Sequence, residues 1–230
     1  MADKYHSISP YAYCAWNPIM LIDPDGRKVK PFGNRALTAI KNTLPPDARE
    51  YVSLDEEGYI DLERLEQYSG ESYNFNCLME LVSSEEYNIE IHLSNSFSYK
   101  DKNGQFVEKD EYSIMYYYPA DDPYASTTGL YDLSTGETGL YGKTLFPDGE
   151  GLQNSPNGNI VIHLNERLSD KGIAESYSHE ANGHALLYVR SNGNRERASH
   201  NFQGSTDANT ELKEMITSST RETIQYNQGL

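Results

Sequence analysis

The sequence predicts an α+β domain, a mixed, mostly antiparallel sheet with flanking helices, on three observations. Short β-branched or aromatic runs bounded by turn residues recur, as at 87–93 and 160–164. Stretches of helical period with recognisable caps lie between and after them, as at 62–68, 174–189 and 207–226. A length of 230 residues with 37% hydrophobic content suits one main globular unit.

The elements follow in order. Residues 1–28 crowd tyrosines, prolines and Trp16 together, a composition that wants a partner surface. Within them Asp23-Pro24-Asp25-Gly26 reads as a tight turn. We take 1–28 as a segment and 29–230 as the domain. Ala36 to Ile40 predicts a short helix ended by Leu44-Pro45-Pro46. Residues 51–54 and 58–60 flank a turn, and Asp61 is placed to cap a helix over 62–68. A further helix over 74–83 turns Leu78, Leu81 and Val82 inward. Strands are expected at 87–93, 106–107 and 112–118. Gly129-Leu130-Tyr131 and Gly139-Leu140-Tyr141 are near copies that fit a hairpin, since a repeat architecture needs more copies. A strand over 160–164 follows the turn-rich 154–159. The helix over 174–189 buries Ala181, Ala185, Leu186, Tyr188 and Val189 and stops near Ser191-Asn192-Gly193-Asn194. The last helix, 207–226, carries apolar Leu212, Met215, Ile216 and Ile224.

Charge and cysteine usage narrow the function. A net charge of −16, with no basic patch, argues against nucleic acid as a partner. Cys14 and Cys77 lie far apart, so neither a structural disulfide nor a cysteine metal site is expected. No charged-then-apolar leader and no apolar run of spanning length is seen, so no signal peptide and no membrane are expected. The acidic, tyrosine-rich stretch 110–124 lacks the acid spacing of a calcium loop and reads as solvated strand edges.

His179-Glu180-Ala181-Asn182-Gly183-His184 is the stretch that carries chemistry. In the H-E-x-x-H zinc signature two histidines one turn apart share a helix face, and the glutamate serves as general base toward water at the metal. Here the second histidine comes one residue late. Positions i and i+4 differ by about 40° of azimuth, i and i+5 by about 140°. A regular helix would aim the two rings apart. A π-bulge absorbs the extra residue, and Gly183 offers no side chain to obstruct it. A third ligand is expected, because catalytic zinc usually takes three. The candidates downstream are His200, Glu211, Glu214 and Glu222; imidazole being the commonest zinc ligand favours His200. His163 reads as a half-buried strand residue, and His6 and His92 have no ligand-like neighbours.

The hexapeptide resembles the H-E-x-x-G-H motif of the dipeptidyl peptidase III zinc peptidases at every fixed position. That resemblance implies a zincin-like metal helix near the C-terminus, with His179 and His184 as zinc ligands and Glu180 as catalytic base. It also implies a glutamate on the following helix, Glu211 or Glu214, as third ligand. An edge strand beside the metal helix would bind extended substrate by strand addition. The amino terminus resembles the end of the core of Rhs (rearrangement hotspot) and YD-repeat proteins, whose P-x-x-x-x-D-P-x-G motif is matched by Pro18, Asp23, Pro24 and Gly26. In that family the core self-cleaves to release a variable tail, often a toxin; Asp23 and Asp25 read here as turn formers. Residues from Ser155 to Ala185 also resemble metallopeptidase tails of Rhs proteins, with Ala181-Asn182 standing where two bulky residues are usual. Together these imply a zinc-dependent peptidase-like tail acting on peptide or protein, with an Rhs core and an immunity protein as partners and export as part of a larger Rhs polypeptide. The rival expectations are a metal-binding pseudo-enzyme and a structural tail without catalysis.

Overall fold

The computed structural model describes residues 29–109, 131–132, 137–138, 141–147, 153–200 and 206–227. The expectations for residues 1–28 and for the strand at 112–118 lie outside them, as do Gly129, Leu130, Gly139 and Leu140 of the proposed hairpin.

β1 (Val29–Pro31), β2 (Ile89–Ser94), β7 (Gly142–Leu145) and β8 (Ile160–Asn165) make a four-stranded sheet in the order β1-β2-β8-β7. β1 and β2 run parallel, as do β2 and β8, with Ile89 opposite Ile160; β7 alone is antiparallel. Two antiparallel pairs stand apart from this sheet, β3 (Phe97–Lys100) with β4 (Phe106–Lys109), and β5 (Tyr131–Asp132) with β6 (Glu137–Thr138). The mixed α+β class is as expected, while parallel pairings fill the middle of the main sheet. The reason is connectivity. Helices intervene between β1 and β2, and a long connection between β2 and β8, which is what parallel neighbours need.

β8 is an interior strand, and among the described residues β7 is the edge beside the helix that carries His179 and His184. All six β8 residues are buried, as a strand covered on both faces requires. Ile160, Ile162 and Leu164 join the large core under the helices. Val161 turns the other way, to Phe97 and Leu145 beneath the β3–β4 hairpin.

The helices layer on one face. α1 (Asn34–Asn42) packs on α4 (Asp170–His179), whose first turn Ser169 caps by accepting from the Gly172 N–H. Arg35 holds the start of α4 by donating to Asp170 and to the carbonyls of Glu166 and Leu168. α2 (Leu62–Leu65) is shorter than expected but takes its cap from Asp61, as read. α3 (Tyr73–Val82) is capped by Ser72 and buries Leu78, Leu81 and Val82. α5 (Leu186–Arg190) ends at Asn192 and Gly193, both at positive φ, where the Gly193 N–H returns to the Tyr188 carbonyl. α6 (Thr206–Tyr226) closes the layer over α3 and α4. Among the described residues no helix is long and apolar enough to cross a membrane.

Candidate metal centre

Between α4 and α5 the chain winds as a π-helix over Glu180–Ala185. The inserted residue is absorbed where the sequence places it, and residues five apart now stack on one face. Gly183 is required here for a reason the spacing does not show. A Cβ on it would lie 2.5 Å from Cγ1 of Ile216, so α6 presses directly on the bulge backbone.

With the bulge in place, His179 and His184 aim at a common point, and His200 arrives from the loop after α5. Their Nε2 atoms form a triangle with edges of 3.0 Å (179–200), 3.1 Å (184–200) and 3.2 Å (179–184). Four tetrahedral ligands at a metal–nitrogen distance of 2.0–2.1 Å stand about 3.3 Å apart, so the triangle fits the donor set of one ion. Among the described residues these three form the one such group. The Nδ1–H of His184 donates to the Ala198 carbonyl at 2.6 Å, which fixes the tautomer and leaves Nε2 as a lone pair. Burial holds His179 far below the ordinary histidine pKa, at about 3, with a charge on His184 adding to it. Burial, then His184 and His179, take His200 to about 4, while Glu180 opposes the shift. The His179 and His200 rings are therefore neutral at physiological pH, the state in which imidazole binds metals.

Two of the other candidate ligands serve the scaffold. Glu211 pairs with Arg197 of the loop that carries His200. Glu222 accepts from the backbone N–H groups of Tyr73 and Asn74 at 3.2 and 2.7 Å, tying α6 to the start of α3. Glu214 is exposed on α6. The His200 loop is braced further by Arg195, which donates to Asn154 and to the Gln153 carbonyl.

Glu180 is buried beside the triad, against β7. Thr144 Oγ1 donates to its Oε2 at 2.7 Å and reaches its carbonyl oxygen at 3.2 Å. Gly142 makes room for it, since a Cβ there would stand 2.8 Å from Glu180 Cγ. Sequence reasoning missed both partners; the signal was the small-polar alternation Gly142-Lys143-Thr144, too short to stand out.

Asn182, which looked like a departure from the motif, has a place as well. Its Nδ2 donates to Ser219 Oγ at 2.9 Å and to Asn74 Oδ1 at 3.3 Å. Asn74 in turn donates to the Thr43 and Ser219 carbonyls and to Thr223, all deep in the protein. A bulky apolar residue at 182 would leave these groups buried without partners, so this polar residue belongs to the register of α6 on the bulge.

His163 and His92 lie on the other face of the sheet. Their rings stack at 5.6 Å, His92 Nε2 faces Glu90 Oε2 at 3.1 Å, and His163 Nδ1 has no hydrogen-bond partner. His163 is more deeply buried than the half-buried reading allowed. Free Cys77 is buried in α3.

Compared with protein-family models, with curated proteins and with solved structures, the chain matches none.

Proposed function

We propose that the chain is a zinc-dependent peptidase-like tail of an Rhs-type protein. The observation that carries the reading is the convergence of three imidazole Nε2 atoms beside a buried carboxylate, on a π-turn that the H-E-x-x-G-H spacing requires. An all-imidazole set suits zinc among the first-row ions, although copper, iron and nickel accept it too. When bound, such an ion supplies Lewis acidity toward a carbonyl oxygen and acidifies water.

The chain's own residues supply the rest. His179, His184 and His200 hold the ion, and the Ala198 carbonyl keeps His184 in the binding tautomer. Glu180 takes a proton from the attacking water and returns it to the leaving amine. Thr144 orients that carboxylate. β7 offers the place for substrate. The Tyr141 carbonyl accepts from the Asn165 N–H, so by antiparallel alternation the backbone groups of Gly142 and Thr144 turn away from β8 and are presented to an added strand.

A second reading, a metal-binding pseudo-enzyme, has one observation in its favour: the Glu180 carboxylate already has a partner in Thr144. Glu180→Gln separates the two. The zinc-loaded wild type should cleave members of a broad peptide library, and the variant should keep one zinc per chain while losing at least roughly a hundredfold in rate. Zinc binding without any cleavage by the wild type would leave the pseudo-enzyme. The role as a toxin held in check by an immunity protein rests on the Rhs resemblance. It predicts that cytosolic wild type slows growth and Glu180→Gln does not.

A further inference from the structure

We propose that Lys143 makes the β7 edge selective for an extended peptide that carries an acidic side chain, Asp or Glu, beside it. The inference rests on the peptidase reading and adds the substrate class. Gly142 and Thr144 turn toward Glu180, so by strand alternation Lys143 turns to the opposite face, where Leu145 meets Phe97 and Val161. There the ammonium lies 5.7 Å from the centre of the Phe97 ring, half-buried. No carboxylate among the described residues forms an ion pair with it. Arg195 is the second cation that acts on it; its guanidinium is spent on an amide and a carbonyl oxygen rather than on an acid. Carboxylates outnumber Lys and Arg by 35 to 19 in this chain, so a partly desolvated lysine without an acid partner among the described residues is not explained by a shortage of acids in the sequence. Burial lowers the Lys143 pKa, with Glu180 partly offsetting it, so an incoming acid would relieve a real cost.

Register fixes where that acid sits. Lys143 faces β8 in a hydrogen-bonded pair with His163, so its position toward an added strand is the non-hydrogen-bonded one. In antiparallel addition this is the pairing with Cα atoms about 4.5 Å apart, where cross-strand side chains approach most closely. The neighbouring residues of the peptide turn toward Glu180 and the histidines, which puts the acid within two residues of the cleaved bond.

The test is cleavage profiling of zinc-loaded wild type, Lys143→Gln and Lys143→Arg on peptide pairs that exchange Glu for Gln, or Asp for Asn, at each position. The expected result is one subsite with a preference for the acid of roughly fivefold, carried in KM rather than kcat. Lys143→Arg keeps it and Lys143→Gln loses it. Cleavage with no acidic preference, or a preference that survives in Lys143→Gln, overturns the assignment and leaves the peptidase reading standing. Failure of the zinc-loaded wild type to cleave any peptide overturns the peptidase reading and this assignment with it.

Discussion

Two histidine groups flank the same sheet, and one of them brings its ring nitrogens close enough together to hold an ion. On the helix side, His179, His184 and His200 bring three Nε2 atoms within 3.2 Å of one another. On the hairpin side, His92 and His163 present ring faces, with His92 turned to Glu90. Burial does not single out the helix side, where His184 is buried, His179 half-buried and His200 exposed. Desolvation holds His163 at about 4, with a charge on His92 adding to it, much as it holds His179 and His200 at about 3 and about 4. The difference is where the lone pairs point. A π-turn and a carbonyl at Ala198 aim them together on one side, whereas regular strand geometry stacks the rings on the other.

The largest way to break this comparison is to remove one ring from each side. His184→Ala should abolish stoichiometric metal binding, because it deletes one of three donors, the one whose tautomer the Ala198 carbonyl fixes. His163→Ala should leave metal content at one per chain. Elemental analysis of protein purified without a histidine tag reads both. Equal metal loss in the two variants would mean that convergence of Nε2 atoms is not what binds.

A smaller effect lies in pH. Each of His163, His179 and His200 has a folded pKa below the ordinary value near 6.5, so the unfolded chain takes up protons first as pH falls. Stability is fully present above about pH 6.5 and is lost as pH drops toward 4, at no more than about 1.4 kcal/mol per pH unit for each of His163 and His179, with less from His200, which is exposed to solvent. Urea midpoints of metal-free protein between pH 4 and 8 should show this slope. The many carboxylates also titrate near the lower end, so the informative quantity is the difference from His163→Phe. That variant should be flatter by one histidine's share, and an identical slope would mean that His163 is not desolvated as its surroundings imply.

The comparison also shows what the sequence can disclose. The one-residue excess between His179 and His184 demands a bulge from azimuth alone, and a π-turn is what the backbone makes. His200 stands out as a histidine in a polar loop beyond the helix that carries His179 and His184, and the loop folds back to meet the pair. The interior place of β8 was written in its nearly unbroken Ile-Val-Ile-His-Leu run, the signature of a strand buried on both faces. β1 and β7 were not legible, because three and four residues are too few to show a period and their partners are distant in the chain. Nor were Thr144, Asn74 and Ser219, whose meaning exists only once α6 and β7 have docked. Local spacing specifies the bulge; long-range packing specifies what leans on it.

Gly183 is where those two kinds of information meet, and it yields the sharpest of the smaller tests. The spacing argument says that Gly183 permits the bulge, while the packing says that it admits Ile216 of α6 at a distance no Cβ tolerates. Gly183→Leu should therefore destabilise the protein by about 1–3 kcal/mol through overpacking, and weaken metal binding because α6 can no longer seat on the turn. Ile216→Ala alone removes a half-buried contact and should cost less. If packing is the constraint, the costs are not additive, and Gly183→Ala with Ile216→Ala should be more stable than the sum of the single changes predicts. If backbone freedom in the bulge is the constraint, the costs add and metal affinity stays low in the pair. Urea midpoints and zinc competition on the four proteins decide between them. An unchanged metal affinity in Gly183→Leu would mean that the two helix-borne rings can be aimed without either condition.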